Sequence, residues 1–150
     1  MFLIRKLRNC SKFNPLRLIY LLLYLHYSYK YGFQIPYITN IGKGFYIGHF
    51  GTIVINRNAV IGNNCNIAHN VTIGQTNKGN KKGAPTIGNN VWIGTGTVIV
   101  GGIKIEDNVL IAPNSYVNFD IPSGSLVLGN PANLFPKINP TEGYINNIVI

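Results

Sequence analysis

Isoleucine or valine recurs at every sixth position along most of this chain, from Ile35 to Val117. The period passes through one block stretched to eight residues (47–54) and a twelve-residue interruption at 75–86, after which it resumes in phase. An α-helix repeats every 3.6 residues and a strand every two, so neither explains a sustained period of six. A hexapeptide period is typical of a parallel β-helix, in which each repeat forms one side of a coil.

The residues between the aliphatic positions support the same fold. Gly, Asn or Asp occupies the fourth position of almost every block, with Ile38 and Phe50 as the exceptions. These types tolerate a positive φ, which predicts a tight left-handed corner every sixth residue and hence triangular coils, roughly four in number. The fifth position is mostly small or β-branched, as a narrow interior requires. A β-sandwich is the alternative, but its turns do not recur at a fixed spacing of six.

The chain divides into three segments on this pattern. We predict an N-terminal helical segment at 1–33, a β-helix domain at 34–122 with a protruding loop at 75–86, and an extended C-terminal tail at 123–150. The apolar run at 18–25 is far shorter than the ~20 residues needed to cross a bilayer. It predicts a helix that packs against the coil or a neighbouring subunit, or one that contacts the inner membrane face peripherally.

Charge adds most to the interpretation of the first segment. The net charge is +9, and the first thirty residues contain basic side chains but no acidic one. Such a surplus is typical of proteins that bind nucleic acid, anionic lipid or a phosphate-bearing ligand. No nucleic-acid motif accompanies it, so we expect no nucleic-acid partner. The two cysteines form no disulfide framework, which favours a cytoplasmic location, and Cys65 is predicted to be a core residue.

The hexapeptide register makes His49 and His69 neighbours. Each is the third residue of its block, and the blocks are one full coil apart if the two extra residues between them loop out. The side chains should then point outward from one corner, about one strand spacing (~4.8 Å) apart. The local pattern fails beside His49, at Phe50 and in the stretched block, as is common at functional sites. Two histidines without a third ligand make a poor metal site, so we expect no metal.

Several motifs resemble those of the hexapeptide-repeat acyltransferases, in particular the serine acetyltransferases and their sugar-acetylating relatives. They are IGKG at 41–44, GHFGTIVI at 48–55, NIAHNVTIG at 66–74, PTIG at 85–88, VWIG at 91–94 and GNPA at 129–132. The resemblance implies a left-handed β-helix and a homotrimer with sites between subunits. It also implies acetyl-CoA as the donor cosubstrate and His49 as the general base that takes the proton of an acceptor hydroxyl.

The resemblance further implies where acetyl-CoA lies. The pantetheine would run along the backbone at Thr95 and Pro113, with Gln75 and Thr76 near the thioester. Lysines of the loop or beyond the last turn would meet the phosphates, and the candidates are Lys82 and Lys137.

Three departures from the serine acetyltransferase pattern bear on the acceptor. Gly48 replaces the acidic residue before the histidine, Gly83 and Ala84 replace an Arg-His pair, and Gln34 replaces the aspartate that orients the histidine. His69 is the candidate to fill the last role, which makes it a second catalytic candidate. We therefore expect an O-acetyltransferase that acts on a sugar or glycan of a capsular or envelope polysaccharide, or its precursor, and rejects L-serine. Serine O-acetyltransferase, and a non-catalytic or metal-binding β-helix trimer, are the alternatives.

Overall fold

A computed structural model describes residues 1–149, which form a helical hairpin followed by a left-handed parallel β-helix. The helices are α1 (Phe2–Asn9) and α2 (Leu16–Tyr31). The strands are β1 (Phe33–Gln34), β2 (Asn40–Ile41), β3 (Tyr46–Ile47), β4 (Ile53–Ile55), β5 (Val60–Ile61), β6 (Asn66–Ile67), β7 (Thr72–Gly74), β8 (Thr86–Ile87), β9 (Trp92–Ile93), β10 (Val98–Val100), β11 (Lys104–Ile105), β12 (Val109–Ile111), β13 (Tyr116–Val117), β14 (Ser125–Leu128) and β15 (Asn133–Pro136).

The strands form the three faces of a triangular coil. The first sheet has the order β1-β4-β7-β10-β13, the second β11-β8-β5-β2, and the third β15-β14-β12-β9-β6-β3. The hexapeptide period explains the interior, because the aliphatic position of each block faces inward and meets its equivalent one coil later. Ile55, Ile73, Ile99 and Val117 form one such column, with adjacent members in register and all buried. Full burial of such a side chain stabilises the fold by about 1.5–3 kcal/mol.

The expected left-handed corners occur at two of the three edges. Positive φ is found at Asn64, Asn90 and Asn108 along one edge and at Asn70, Gly96 and Asn114 along another. The prediction is wrong for the edge between the first and second sheets, where Asn58, Gly102 and Asp120 lack a positive φ. The chain there closes ordinary turns instead: the Thr39 amide donates to the Pro36 carbonyl and the Ala59 amide to the Asn56 carbonyl.

The coil extends beyond the expected boundary at 122. Strand β14 pairs in parallel with β12 and gives the third sheet a fifth parallel strand, so that it matches the five strands of the first sheet. The sequence pattern does not reveal this last side, because the next deeply buried valine, Val127, lies ten positions after Val117 rather than six. The tail proper therefore begins after Leu128, with β15 antiparallel to β14.

After β15 the tail runs back along the outer surface of the third sheet. The side-chain amide of Asn66 donates to the Tyr144 carbonyl at 3.0 Å, and the Val149 amide donates to the Asn64 side chain at 2.9 Å. The Tyr144 ring also packs on Trp92, with centroids 5.0 Å apart. The extended tail thus crosses several coils.

The helical hairpin covers the open N-terminal end of the coil. Leu7 is fully buried, and Met1 and Ile4 pack against the aliphatic core. The Arg17 guanidinium donates to the Leu7 carbonyl and joins the two helices, and the Tyr24 hydroxyl donates to the Ile35 carbonyl, which ties α2 to the first coil. Within residues 1–149, neither helix has the length and apolar character that crossing a membrane requires.

Gly62 provides a test of how tightly the coils stack. A Cβ atom placed on this residue would lie 2.5 Å from the Gly88 carbonyl oxygen of the next coil. We expect Gly62→Ala to lower the free energy of unfolding by about 1–3 kcal/mol, because the backbones must separate. Gly48→Ala is the matched control, since its Cβ would meet no atom closer than a Tyr46 ring atom at 3.6 Å. Urea unfolding checks the pair, and equal losses would contradict the steric explanation.

Candidate functional site

His49 and His69 lie on the same corner of the coil, between the third and first sheets. The registration of Ile47 with Ile67 in strands β3 and β6 brings the following residues into line. The imidazole centroids are 5.7 Å apart and the ring planes are nearly perpendicular, at 89°. The predicted placement of the two histidines side by side on one corner is confirmed, and their rings meet edge to face. His49 is exposed, and His69 is half-buried beneath it.

Thr95 and Pro113 continue the same corner toward the C-terminal end. Ile67 is in register with Ile93, and Ile93 with Ile111, so each residue two positions later falls on one edge. The Thr95 hydroxyl lies 3.0 Å from Nδ1 of His69. From the resemblance we assigned only the backbone of Thr95 a role. The hexapeptide register could have revealed its side chain, because Thr95 is the third residue of its block, as both histidines are.

The stretched block beside His49 adopts an open loop that an aromatic cluster supports. The Phe50 side chain is 78% exposed, and its ring centroid lies 6.3 Å from that of Tyr31 at the end of α2. The Gly51 amide donates to the Tyr31 carbonyl at 3.1 Å. Gly51 has φ 137°, and a Cβ there would lie 3.1 Å from the His69 side chain, so glycine allows both the loop and the half-buried imidazole.

The loop at 75–86 folds back on its own coil. Thr76 and Gly83 form an antiparallel bridge, and the Gly102 amide donates to the Lys81 carbonyl at 2.7 Å. The Lys81 ammonium also pairs with the Asp120 carboxylate, and this contact holds the pKa of Asp120 below its usual value. The base of the loop is therefore held in place, while its tip around Gly79 is exposed.

Within one chain, the structure does not bring the predicted acetyl-CoA contacts of the loop to the histidines. Gln75, Thr76 and Lys82 follow β7 at the edge between the first and second sheets, whereas His49 lies at the edge where the first sheet begins. Lys137 also lies away from that edge. Its amide donates to the Gly124 carbonyl before β14, while the motif at 129–132 follows β14.

The acidic groups of the chain begin only at Glu106, and they serve other contacts. Glu106 pairs with Lys104, and Asp107 accepts a hydrogen bond from the Asn89 amide at 2.6 Å. Gln34, which occupies the position of the orienting aspartate, lies on β1 in register with Val54. The only hydrogen-bonding side chain found against the two imidazoles within residues 1–149 is the Thr95 hydroxyl.

Cys65 is fully buried, and burial raises the pKa of its thiol to about 11. The thiol is therefore protonated at neutral pH and unsuited to act as a nucleophile, which agrees with its predicted place in the core. Within residues 1–149, no three histidine, cysteine, aspartate or glutamate side chains come together as a group that could hold a metal ion.

Comparison with protein-family models matches residues 84–118 to the bacterial transferase hexapeptide (six repeats). Serine acetyltransferase from Helicobacter pylori is 38% identical over 106 residues, which cover 71% of this chain and 62% of the relative. Serine acetyltransferase 4 from Arabidopsis thaliana is 39% identical over 126 residues, which cover 84% of this chain and 36% of the relative.

The chain belongs to the hexapeptide-repeat transferase family, with serine acetyltransferases as homologues. Among solved structures, soybean serine acetyltransferase complexed with serine superposes with a TM-score of 0.72 at 34% identity, covering 89% of this chain and 53% of that one. The serine acetyltransferase from Brucella abortus in complex with coenzyme A gives 0.71 at 30% identity, covering 81% and 48%. The chain thus spans about half the length of the solved hexapeptide-repeat relatives.

These relatives correct the expected acceptor. We predicted a sugar or glycan and rejection of L-serine, and this prediction is wrong, because the similar proteins and structures are serine acetyltransferases. The assignment to polysaccharide biosynthesis falls with it. The error has a physical origin. The missing charged groups at Gly48, Gly83 and Ala84 remove particular contacts, but a missing contact does not identify a different acceptor.

Proposed function

We propose that this protein transfers the acetyl group of acetyl-CoA to the hydroxyl of L-serine, with His49 as the general base. The observation that carries the proposal is the exposed imidazole of His49 on a coil corner, in a chain whose similar structures include serine acetyltransferases with serine or coenzyme A. Histidine suits this work because its ordinary pKa lies near physiological pH.

In the proposed reaction, His49 accepts the proton of the serine hydroxyl as the serine oxygen bonds to the acetyl carbon. The carbon–sulfur bond breaks, and His49 returns the proton to the departing sulfur, so that O-acetylserine and free CoA result. His69 is the proposed positioning residue. Its ring stands perpendicular to that of His49, and the Thr95 hydroxyl at 3.0 Å from Nδ1 holds it in that orientation. This arrangement would take over the orienting role of the aspartate that Gln34 replaces.

The corner beyond the histidines fits the proposed donor. Thr95 and the exposed Pro113 are compact side chains aligned along one edge, so an extended pantetheine can run beside the backbone. The loop that carries Gln75, Thr76 and Lys82 lies at the other edge of the first sheet, and we propose that it completes the site of a neighbouring subunit in a homotrimer. Lys82 is the better candidate to bind the CoA phosphates. Lys137 lies beside Gly124, at the end of β14 that is farther from the corner with the two histidines.

The test is an assay of the full chain with acetyl-CoA and L-serine, in which released CoA thiol and O-acetylserine are both measured. We expect the two products in equal amounts, and both at rates at least about 100-fold lower with His49→Ala. Thiol release without acetylated serine would contradict serine as the acceptor. No thiol release from a folded chain would favour a non-catalytic coil.

Because Cys10 and Cys65 are free thiols, we also propose a cytoplasmic location.

Thr95 allows the positioning role of His69 to be tested. Thr95→Val removes the hydroxyl at nearly constant shape, and we expect kcat to fall roughly 2- to 10-fold, which corresponds to one neutral hydrogen bond. Thr95→Ser keeps a hydroxyl and should retain most of the wild-type kcat. The KM for acetyl-CoA should change little in either variant. A similar loss in both variants, or a change confined to KM, would contradict the role of the hydroxyl.

A further inference from the structure

Helix α2 has two faces of different character. One face carries half-buried residues that pack on the coil and α1, among them Arg17, Leu21, Tyr24, Ser28 and Tyr31. The opposite face is apolar and open, with Leu18 62% and Leu22 58% exposed. We call this opposite face the outer α2 face, and its residues are Leu18, Ile19, Leu22, Leu23, Leu25 and Tyr29. An exposed apolar surface of this kind, here interrupted by the exposed His26, usually marks an interaction site.

The aromatic side chains at the ends of α2 extend this surface. Phe13, just before the helix, is 96% exposed, and Tyr29 is exposed in its last turn. A helix of sixteen residues is about 24 Å long, and bulky apolar or aromatic side chains on one face with basic side chains beside them are typical of helices that lie in a membrane interface. Because α2 is neither long enough nor apolar enough to span a bilayer, such contact would leave the helix lying on the membrane surface.

The charges around this face are all of one sign. Lys6, Lys12 and Lys30 are exposed in the helical segment, and the whole stretch of residues 1–105 contains no acidic side chain. Arg5 and Arg17, in contrast, are held by carbonyl groups of the protein itself. The exposed ammonium groups therefore have no carboxylate partner in their own segment, and they complement a surface of negative charge.

We propose that the outer α2 face docks on an anionic lipid bilayer, with α2 parallel to the membrane plane and the three lysines toward the headgroups. A second copy of this chain is the competing occupant of an apolar helix face. Pairing two such segments would bring basic side chains together without any acidic residue between them, so charge favours the lipid surface.

The test uses the purified full chain and vesicles of phosphatidylcholine, alone or mixed with phosphatidylserine. We expect sedimentation with the anionic vesicles only, and release by salt. The double variant Leu22→Gln/Leu25→Gln should weaken binding at least about tenfold, since two side chains leave the apolar phase. Ile138→Gln is the matched control, because Ile138 is an aliphatic residue 92% exposed in the tail. It should bind as the wild type does.

A second variant protects the test against misfolding of the first. Leu22→Trp should show quenching by brominated anionic lipid beyond that of wild-type Trp92. Failure of the folded wild-type chain to bind anionic vesicles, unchanged binding of the double glutamine variant, or unquenched Leu22→Trp would overturn the proposal. The proposal would also be overturned if the wild-type oligomer did not bind vesicles and light scattering showed that the double glutamine substitution dissociates this oligomer. None of these measurements depends on acetyl transfer.

Discussion

Replacement of His49 by alanine is expected to lower turnover of acetyl-CoA and L-serine by about 10²–10⁴-fold, the usual contribution of a positioned proton acceptor. The effect should lie in kcat, because the imidazole acts on the hydroxyl proton as the new bond forms. Thermal unfolding should be nearly unchanged, since His49 is exposed on the coil corner and its side chain fills no part of the core. Steady-state kinetics and a melting curve check both expectations.

His26→Ala is the matched control for this prediction. His26 is also exposed, but it lies on α2, where its ring packs on Tyr27 and is away from His49 and His69. This variant should keep the wild-type rate of acetyl transfer. If His69→Ala abolished turnover while His49→Ala did not, the roles of these two histidines would be reversed.

Gly48→Asp is expected to lower the KM for L-serine by roughly 10- to 100-fold. Gly48 occupies the position where the serine acetyltransferase pattern has an acidic residue, and a charge-assisted hydrogen bond to the serine ammonium is worth about 1.5–3 kcal/mol. The site has room for the side chain, because a Cβ on Gly48 would meet the Tyr46 ring at 3.6 Å and no closer atom. Initial rates over a range of serine concentrations measure the effect.

Gly48→Asn separates charge from size in this experiment. The asparagine side chain fills the same space and forms neutral hydrogen bonds only, so its KM for L-serine should stay near the wild-type value. An equal improvement with asparagine would show that shape rather than charge limits serine binding. An unchanged KM with aspartate would mean that the serine ammonium does not approach position 48.

The coil and the histidine pair were predictable from the sequence because both follow from one periodicity. A fixed spacing of six places aliphatic residues inside, and the same register brings His49 beside His69 once the two extra residues loop out. Phe50, which breaks the Gly/Asn/Asp pattern of the corner residues, correctly indicated an irregular corner. The positive φ is found one residue later, at Gly51. Repetition carries this much information because each coil packs mainly on its neighbours.

Features that depend on contacts between distant segments were not predictable. The period breaks after Val117, so nothing in the local pattern showed that β14 extends the coil. The loop at 75–86 was expected to protrude, yet Lys81 pairs with Asp120, a partner 39 residues away. The acceptor could not be derived for a related reason. Gly48 and Ala84 show which contacts are missing, whereas the choice of substrate depends on the groups that remain and on neighbouring subunits.

The corner that carries His49, His69, Thr95 and Pro113 also sets a fixed distance along the coil axis. Successive coils advance by about 4.8 Å, so its first and last members are separated by a rise of about 14 Å that the stacked backbone keeps constant. An insertion of one full coil between Thr95 and Pro113 would lengthen this distance by one step without altering the fold of the coils on either side. Coil number, rather than any side chain, would then determine the length of the donor that can reach the base.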